Sequence, residues 1–276
     1  MEDIRMSARL LRRVGRPACL PQRVTVSARR WHARGTVRTI LLMWALRALH
    51  AVGVPPATLH RLYYGRGLPS APPAVSGHVI VFAKAPRAGE VKTRLAATEG
   101  PDVALAAHRQ LLVRTVAEAA KVPGVSRELC IAGPDSSGEC RALADRFGFE
   151  LTEQRGADLG ERMLNAMSRT LAHGNPVVLV GCDSPVLVAW DIAEALCTLR
   201  GPEATRVVLS PAEDGGYLLI GAAERIPPVF EGMRWSHPEV LRQTLARLDE
   251  GGYAYRLLRT LWDVDDAQGW ARWRAM

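Results

Sequence analysis

The sequence lacks the local signatures of several common enzyme classes. It contains no GxSxG and no HExxH motif, which argues against a nucleophile-elbow hydrolase and against a zinc peptidase. No GxGxxG motif follows the first predicted strand, so a dinucleotide-dependent oxidoreductase is not expected. The GxxxxGK[ST] pattern of P-loop nucleotide-binding proteins is also missing.

Paired cysteines and aromatic residues are scarce as well. The five cysteines are widely spaced and form no CxxC pair: Cys19, Cys130, Cys140, Cys182 and Cys197. This spacing argues against a disulfide framework or a zinc knuckle and favours a reducing cytoplasm. Aromatic residues make up only 6% of the chain, and no RNA- or DNA-binding module is visible, so nucleic acid is not an expected partner.

Acidic residues are almost absent from residues 1–75. This segment has thirteen arginines, no lysine and only Glu2 and Asp3, a net charge of about +11, whereas residues 76–276 carry about −3. A Pro/Gly/Ala-rich stretch precedes Gly77. The sequence therefore predicts a basic N-terminal extension (residues 1–75) followed by one α/β domain (residues 76–276).

Residues 36–50 have the apolar spacing of an amphipathic helix but are too short and too charged to span a bilayer. Three interpretations remain open. The helix could lie on a membrane surface, as basic amphipathic helices do, or the segment could be a transit-like targeting sequence. We favour the third interpretation, a loosely packed extension of a cytoplasmic protein, with peripheral membrane contact as the alternative.

Apolar runs typical of buried strands alternate with helical patterns through the domain. This alternation predicts a mostly parallel sheet covered by helices on both faces. In such sheets, ligands bind beyond the carboxyl ends of the strands. The segments that follow the strands at 78–83 and 176–181 are therefore expected to share one crevice.

A basic loop follows the first strand and is the most informative feature of the chain. Glycine permits a close approach of the backbone to a ligand, exposed N–H groups can form an anion nest, and lysine and arginine add charge. We predict phosphate binding by Lys84, Arg87, Gly89, Lys92, Thr93 and Arg94. A solvated basic turn is the alternative.

The loop and five later segments together resemble one family. These later segments are GADLGERM (Gly156–Met163), VLVGCDSPVL (Val178–Leu187), SPAEDGGYLLIG (Ser210–Gly221), FEGMRWSHPEVL (Phe230–Leu241) and DVDD (Asp263–Asp266). Over residues 77–270 the order of motifs resembles the nucleotide-diphospho-sugar transferases of the DUF2064 type. It is also similar to phospholactate guanylyltransferase and to the molybdenum-cofactor guanylyltransferases. The resemblance implies a single GT-A-like, Rossmann-like domain.

Asp183 directly follows an apolar strand, where a carboxylate beside a phosphate loop is well placed to hold Mg²⁺ or Mn²⁺. A metal-binding Asp at this position is also what the resemblance implies. The alternative is a helix N-cap. The resemblance implies a second ligand late in the chain, and Asp265 is preferred to Asp263; in an extended segment the two face the same side. Alternatively, Asp265 or Asp266 caps the final helix.

The PAEDGGY segment joins Asp214 to Gly215 and Gly216. We expect this turn to contact the sugar or the acceptor, with Asp214 orienting a hydroxyl or acting as a general base. An ordinary hairpin turn is the alternative, because Asp-Gly is a strong turn signal. Asn165 is a candidate contact for the base or ribose.

Ser236 and Asp158 are predicted to serve as helix N-caps. Glu161, three residues after Asp158, completes a capping-box-like pattern.

The resemblance implies transfer of a sugar from a nucleotide-sugar donor to an acceptor, helped by Mg²⁺ or Mn²⁺. Nucleotidyl transfer from an NTP to a phosphorylated small molecule, with release of pyrophosphate, is the alternative, because the basic loop suits a triphosphate equally well. A non-catalytic nucleotide-binding accessory protein is a third hypothesis. The sequence indicates no particular base, sugar, acceptor or oligomeric state.

Overall fold

The computed structural model describes residues 72–201 and 205–276. Within them, seven strands form one sheet in the order β3-β2-β1-β4-β6-β5-β7. The strands are β1 (Gly77–Lys84), β2 (Val125–Ala132), β3 (Glu150–Glu153), β4 (Val177–Gly181), β5 (Val207–Pro211), β6 (Tyr217–Ala222) and β7 (Tyr255–Leu257). The helices are α1 (Thr93–Glu99), α2 (Pro101–Ala120), α3 (Glu139–Phe147), α4 (Leu159–Leu171), α5 (Ala189–Leu199), α6 (Pro227–Phe230), α7 (Val240–Glu250) and α8 (Ala267–Arg274).

The sheet is mostly parallel, which confirms the predicted α/β class. β1 pairs in parallel with β2 and β4, β2 pairs in parallel with β3, and β5 pairs in parallel with β7. β6 runs antiparallel to both of its neighbours, β4 and β5. β6 therefore begins at the edge of the sheet where β4 and β5 end.

Both faces of the sheet are covered, and the alternation of side chains along β1 explains how. Val79 and Val81 point to one face and pack with residues of α2, α3 and α5. Ile80 and Phe82 point to the other face and pack with residues of α4, α6 and α7. Because both faces of β1 are buried, its sequence is a continuous apolar run rather than an alternating one.

A buried polar network crosses the sheet near the amino end of β1. Glu128 on β2 is 4% exposed and accepts hydrogen bonds from Thr152 and Arg169, each at 2.5 Å. His78 Nε2 lies 3.1 Å from the same carboxylate, and its Nδ1 lies 2.7 Å from Ser126 Oγ. Burial alone would raise the pKa of Glu128, but these hydrogen bonds and the Arg169 charge hold it below its ordinary value.

The predicted extension lies almost entirely outside the described residues, which include only 72–75 of it. The amphipathic helix predicted at 36–50, with its membrane contact, lies outside them as well. Among the helices of the described ranges, none combines the length and hydropathy needed to cross a membrane.

The cysteines of the described residues are free thiols, as expected from their spacing. Cys130, Cys140 and Cys182 are buried, and Cys197 is exposed. Burial raises the pKa of Cys140 to about 12, with smaller contributions from Asp135 and Glu139.

Candidate active site

Four separate segments of the chain meet at one edge of the sheet. The basic loop follows Lys84 at the carboxyl end of β1, and Asp183 follows Gly181 at the carboxyl end of β4. The Asp-Gly-Gly turn connects β5 to β6 at the same edge. The chain after β7 continues beside β5 through a parallel bridge between Ala212 and Leu261, which brings the DVDD segment to this edge.

A cleft of about 610 Å³ opens where these segments meet. The predicted site residues that line it are Lys84, Lys92, Thr93, Arg94, Asp183, Asp214 and Asp265. The predicted residues outside its lining are Arg87, Gly89, Asn165, Gly215, Gly216 and Asp263. The cleft therefore joins the basic loop to carboxylates from three other segments.

Lys92 is the centre of this arrangement. Its backbone adopts a left-handed conformation (φ 48°) just before α1, and its side chain is only 3% exposed. Its ammonium group contacts Asp183 Oδ1 and lies 3.2 Å from Asp265 Oδ1. Burial alone would lower the pKa of Lys92, but the two carboxylates outweigh it and raise that pKa.

Backbone contacts fix Asp183 next to the DVDD segment. The Val264 N–H donates to the Asp183 carbonyl at 3.0 Å, and Ser184 Oγ donates to the Trp262 carbonyl at 2.8 Å. The Asp183 carboxylate binds Lys92 instead of capping α5, whose N-cap residue is Val188. Although desolvation acts in the opposite direction, the Lys92 ammonium lowers the pKa of Asp183.

The DVDD segment places its carboxylates by simple alternation. Trp262 and Val264 are buried against α2, so Asp263 and Asp265 lie on the other side of the extended chain. Asp266 is the residue that caps α8, accepting a hydrogen bond from the Gly269 N–H at 2.8 Å. Asp265 is consequently available to Lys92.

The site carries more negative charge than Lys92 balances. Burial, together with the nearby carboxylates of Asp265, Asp214 and Asp183, raises the pKa of Asp263 to about 7, although Lys92 acts in the opposite direction. A carboxyl group that holds a proton near neutral pH beside other carboxylates is a site that a cation would favour. Oxygen donors from two distant segments also match the ligands that Mg²⁺ and Mn²⁺ take, so these residues fit a divalent ion.

Apart from Lys92, the basic loop contacts the carboxylates of the site through Arg94, whose Nη1 lies 4.0 Å from Asp265 Oδ2. Arg87 and Glu90 form an exposed ion pair at 3.2 Å, and Lys84 Nζ donates to the Glu90 carbonyl at 3.4 Å. Gly89 has a positive φ of 79° and open space around it. The side chains of Lys84, Thr93 and Arg94 are exposed and line the cleft.

The Asp-Gly-Gly turn is a hairpin turn, as the alternative interpretation held. The Gly216 N–H donates to Asp214 Oδ1 at 3.0 Å, which shapes the turn. Gly215 (φ 93°) is pressed against the loop before α7: a Cβ at this position would lie 2.0 Å from the Pro238 carbonyl oxygen. Asp214 nevertheless lines the cleft, so the hairpin geometry and a ligand contact are compatible.

Two predicted helix caps have different outcomes. Asp158 caps α4 by accepting from the Glu161 N–H at 2.8 Å, and Glu161 accepts from the Ala157 N–H at 2.7 Å. The prediction that Ser236 caps a helix was wrong, because α7 begins only at Val240, after Pro238 and a left-handed Ser236 (φ 62°).

Asn165 donates to the Arg155 carbonyl at 2.9 Å and is exposed on α4. That position places it outside the cleft lining.

The cleft contains polar residues that sequence reasoning missed. His108 on α2 is buried, and its Nε2 lies 2.9 Å from the Lys84 carbonyl. Gln154 donates from Nε2 to the carbonyls of Ala83 and Cys130 at 3.0 and 3.1 Å. Arg162 on α4 also lines the cleft. Two sequence signals could have identified the first two residues: His108 is a histidine within the apolar stripe of α2, and Gln154 is a polar residue directly after β3.

Comparisons with known proteins agree with the predicted fold and family. Residues 115–237 match a family model described as an uncharacterized protein conserved in bacteria (DUF2064). A crystal structure of a candidate nucleotide-diphospho-sugar transferase from Desulfovibrio desulfuricans G20 is 29% identical, with 70% of this chain and 84% of that chain covered and a TM-score of 0.62. These two findings confirm the resemblance and the fold. No curated protein matches the chain.

Two further solved structures match this chain at lower similarity. The inositol-1-phosphate CTP transferase from T. maritima is 12% identical over 71% of this chain and 92% of that chain, with a TM-score of 0.47. Glucosyl-3-phosphoglycerate synthase from Mycobacterium tuberculosis, solved with Mn²⁺, UDP and glucosyl-3-phosphoglycerate, is 9% identical over 71% of this chain and 75% of that chain, with a TM-score of 0.44.

Proposed function

We propose that this DUF2064-type protein is a metal-dependent transferase that takes a sugar from a nucleotide-diphospho-sugar donor and passes it to a small-molecule or lipid acceptor. The observation that carries the proposal is the convergence of Lys92, Asp183 and Asp265 in one cleft beside the basic loop. The likeness to the Desulfovibrio protein, described as a candidate nucleotide-diphospho-sugar transferase, supports the same class of donor.

The residues divide into groups with different tasks. Lys84, Thr93 and Arg94 are exposed to the cleft and are placed to bind the donor phosphates. Lys92 is a positioning residue, because its ammonium group donates hydrogen bonds to Oδ1 of Asp183 and Oδ1 of Asp265 and so orients both carboxylates.

Asp183 and Asp265, with Asp263 beside them, would hold the divalent ion. When bound, that ion would neutralise charge on the diphosphate leaving group.

Asp214 is the residue that we assign to binding of the acceptor. It lies on the hairpin turn opposite the basic loop, and its Oδ1 accepts from the Gly216 N–H, which fixes the carboxylate. A fixed carboxylate in the cleft can orient an acceptor hydroxyl and take up its proton as the new bond forms. The roles of Gly215 and Gly216 are to form this turn rather than to contact substrate.

Nucleotidyl transfer is the second candidate, and the cationic lining of the cleft favours it. Lys84, Arg94 and Arg162 line the cleft in addition to Lys92. Several positive groups beyond the one used by the carboxylates would suit the larger charge of a nucleoside triphosphate.

Thermal unfolding of the full chain tests both candidates. The panel contains UDP-glucose, GDP-mannose, CTP and GTP, each with and without Mn²⁺ or Mg²⁺. A ligand at about 100 times its Kd adds about 2.7 kcal/mol of stability, which corresponds to several degrees. Stabilisation by a nucleotide-sugar that requires the ion is the expected result, followed by release of nucleoside diphosphate in the presence of acceptor.

A matched pair of variants controls the experiment. Asp265→Asn should abolish the ion-dependent stabilisation. Asp266→Asn should keep it, because asparagine still caps α8. Stabilisation by CTP or GTP with release of pyrophosphate would instead support nucleotidyl transfer. Stabilisation by a nucleotide without any turnover would favour the accessory protein, and no stabilisation by any ligand of this panel would contradict both candidates.

A further inference from the structure

His108 lines the cleft and has one ring nitrogen without a hydrogen-bond partner among the described residues. The residue lies on α2, is 3% exposed and lines the cleft. A carbonyl oxygen can only accept, so Nε2 donates to the Lys84 carbonyl at 2.9 Å. The neutral imidazole has only one N–H, which leaves Nδ1 with a free lone pair. In residues 72–201 and 205–276, no hydrogen-bond donor is placed on this nitrogen.

Two side chains that can bind a metal ion, those of Cys182 and Asp183, lie near this imidazole. A ring nitrogen of His108, Sγ of Cys182 and a carboxylate oxygen of Asp183 all lie within 4.8 Å of one another. Two ligands of one divalent ion, each at about 2.1 Å from it, are about 3.0 Å apart at a right angle and about 4.2 Å apart when opposite each other, so side-chain movements of between about 0.6 and 1.8 Å would close even the 4.8 Å limit. The His108 ring and the Asp183 carboxylate are therefore close enough to share an ion.

Asp183 has an oxygen to offer. Lys92 occupies its Oδ1, and no group of the described residues is hydrogen-bonded to its Oδ2. Cys182 is the weaker third member, because it is 2% exposed and sulfur is a poor ligand for the hard ions that carboxylates favour. The donor set that remains is one imidazole nitrogen with carboxylate oxygens.

The hydrogen bond to Lys84 is the second indication. A histidine that ligates a metal almost always donates its other N–H to a carbonyl or carboxylate, which fixes the tautomer and aims the free nitrogen. His108 makes this bond to a carbonyl at the end of β1, within the sheet edge that forms the cleft. This bond leaves Nδ1 as the ring nitrogen that is available to an ion.

We propose that His108 Nδ1 is a ligand of the divalent ion held by Asp183, and that this nitrogen makes the site prefer a first-row transition-metal ion over Mg²⁺. The inference rests on the metal dependence proposed above and adds the ligand that sets the choice of ion. An imidazole ligand strengthens binding of first-row ions, whereas Mg²⁺ prefers oxygen ligands and retains its waters.

Pulsed EPR of Mn²⁺ bound to the full chain tests this directly, without an activity assay. The expected result is a ¹⁴N modulation from a coordinated ring nitrogen in the wild-type protein. In His108→Gln the modulation should disappear, and Mn²⁺ should bind at least about tenfold more weakly, as is typical when the support of a metal site is lost. Mg²⁺ affinity, measured by competition, should change much less.

Two control variants separate His108 from two other residues that line the cleft, Cys182 and His237. Cys182→Ser and His237→Gln should keep both the ¹⁴N modulation and the Mn²⁺ affinity, since neither residue is a ligand in this proposal. Loss of the modulation in His237→Gln would assign the nitrogen to that residue and overturn the proposal. The melting temperature of His108→Gln shows whether the variant is folded, and the wild-type spectrum is informative even if it is not.

The outcomes also distinguish this inference from the proposed function. Mn²⁺ bound to the wild-type protein without ¹⁴N modulation would refute the role of His108 and leave the carboxylate site intact. No binding of Mn²⁺ to the wild-type protein, with or without nucleotide, would refute the metal dependence itself and this inference with it.

Discussion

Lys92 should stabilise the ion-free fold, and the variant Lys92→Met measures its contribution to the free energy of unfolding. Methionine keeps an unbranched apolar stem and removes the ammonium that contacts Asp183 and Asp265. The lysine side chain is 3% exposed, whereas the two carboxylates are 38% and 46% exposed. The variant therefore removes the shared ammonium from two half-exposed carboxylates, of which Asp265 keeps Arg94 Nη1 at 4.0 Å.

The magnitude follows from these exposures. Breaking a fully buried ion pair costs about 3–5 kcal/mol, and losing an exposed pair costs about 0–1 kcal/mol. With one partner buried and two half exposed, we expect Lys92→Met to lose about 2–3 kcal/mol near neutral pH. For a domain of this size that corresponds to a melting temperature lower by about 4–12 °C.

The loss should depend on pH in a definite direction. Without the ammonium, ionisation of the clustered carboxylates should cost more in the folded variant than in the unfolded chain, where these groups are far apart, so protonation should favour the folded state. Its stability then rises as the pH falls. The difference from the wild-type protein should therefore be smaller at about pH 5 than at about pH 7.5.

Thermal unfolding followed by far-UV circular dichroism in chelator-treated buffer measures both effects. Lys84→Met is the matched control, because Lys84 is exposed and makes only a 3.4 Å contact with the Glu90 carbonyl. Its effect should stay within about 0.5 kcal/mol. Equal melting temperatures for the two variants, or a difference that grows at acidic pH, would refute the reasoning.

Three further predictions concern stability. In calorimetry without ions, Asp263→Asn should melt a few degrees higher than the wild-type protein near pH 8 and at the same temperature near pH 4. The pKa of Asp263 is raised to about 7, so the stability of the wild-type fold falls as the pH rises from about 4 to about 7. Glu128→Ala should lose about 2–3 kcal/mol in urea titrations because it removes the buried carboxylate that half-exposed Arg169 and His78 Nε2 share, whereas the exposed Glu150→Ala should change little. Gly215→Ala should lower the melting temperature far more than Gly216→Ala, since only the first would place its Cβ 2.0 Å from the Pro238 oxygen; similar melting temperatures would show that the loop moves freely.

The sequence was enough to predict which segments meet in the cleft. Lys84 and Asp183 follow strands whose apolar runs are easy to identify, and the carboxyl ends of parallel strands share one edge. The capping role of Asp158 and the same-sided placement of Asp263 and Asp265 were also predictable, because both depend on local spacing.

The partnerships inside the cleft were not predictable in the same way. Lys92 reaches Asp183 and Asp265 only because its backbone is left-handed, a conformation that no local pattern around it specifies. Strands β2, β3 and β4 and helices α3 and α4 separate His108 from Asp183 along the chain, so only the packing of the sheet brings the two residues together. Ser236 failed as a cap because the chain near Pro238 is shaped by contact with Gly215, which is distant in sequence.

The charge of the site connects its stability to its proposed chemistry. The carboxylates of Asp183, Asp214 and Asp265 act on that of Asp263, and the four would destabilise an ion-free fold if all were ionised and unpaired. Three features relieve that repulsion: the shared ammonium of Lys92, the Arg94 guanidinium 4.0 Å from Asp265, and the proton that the raised pKa keeps on Asp263. The proton can leave when a cation enters, and Lys92 uses only one oxygen of each carboxylate that it contacts. The same groups that make the cleft stable without an ion thus leave oxygen atoms available to receive one.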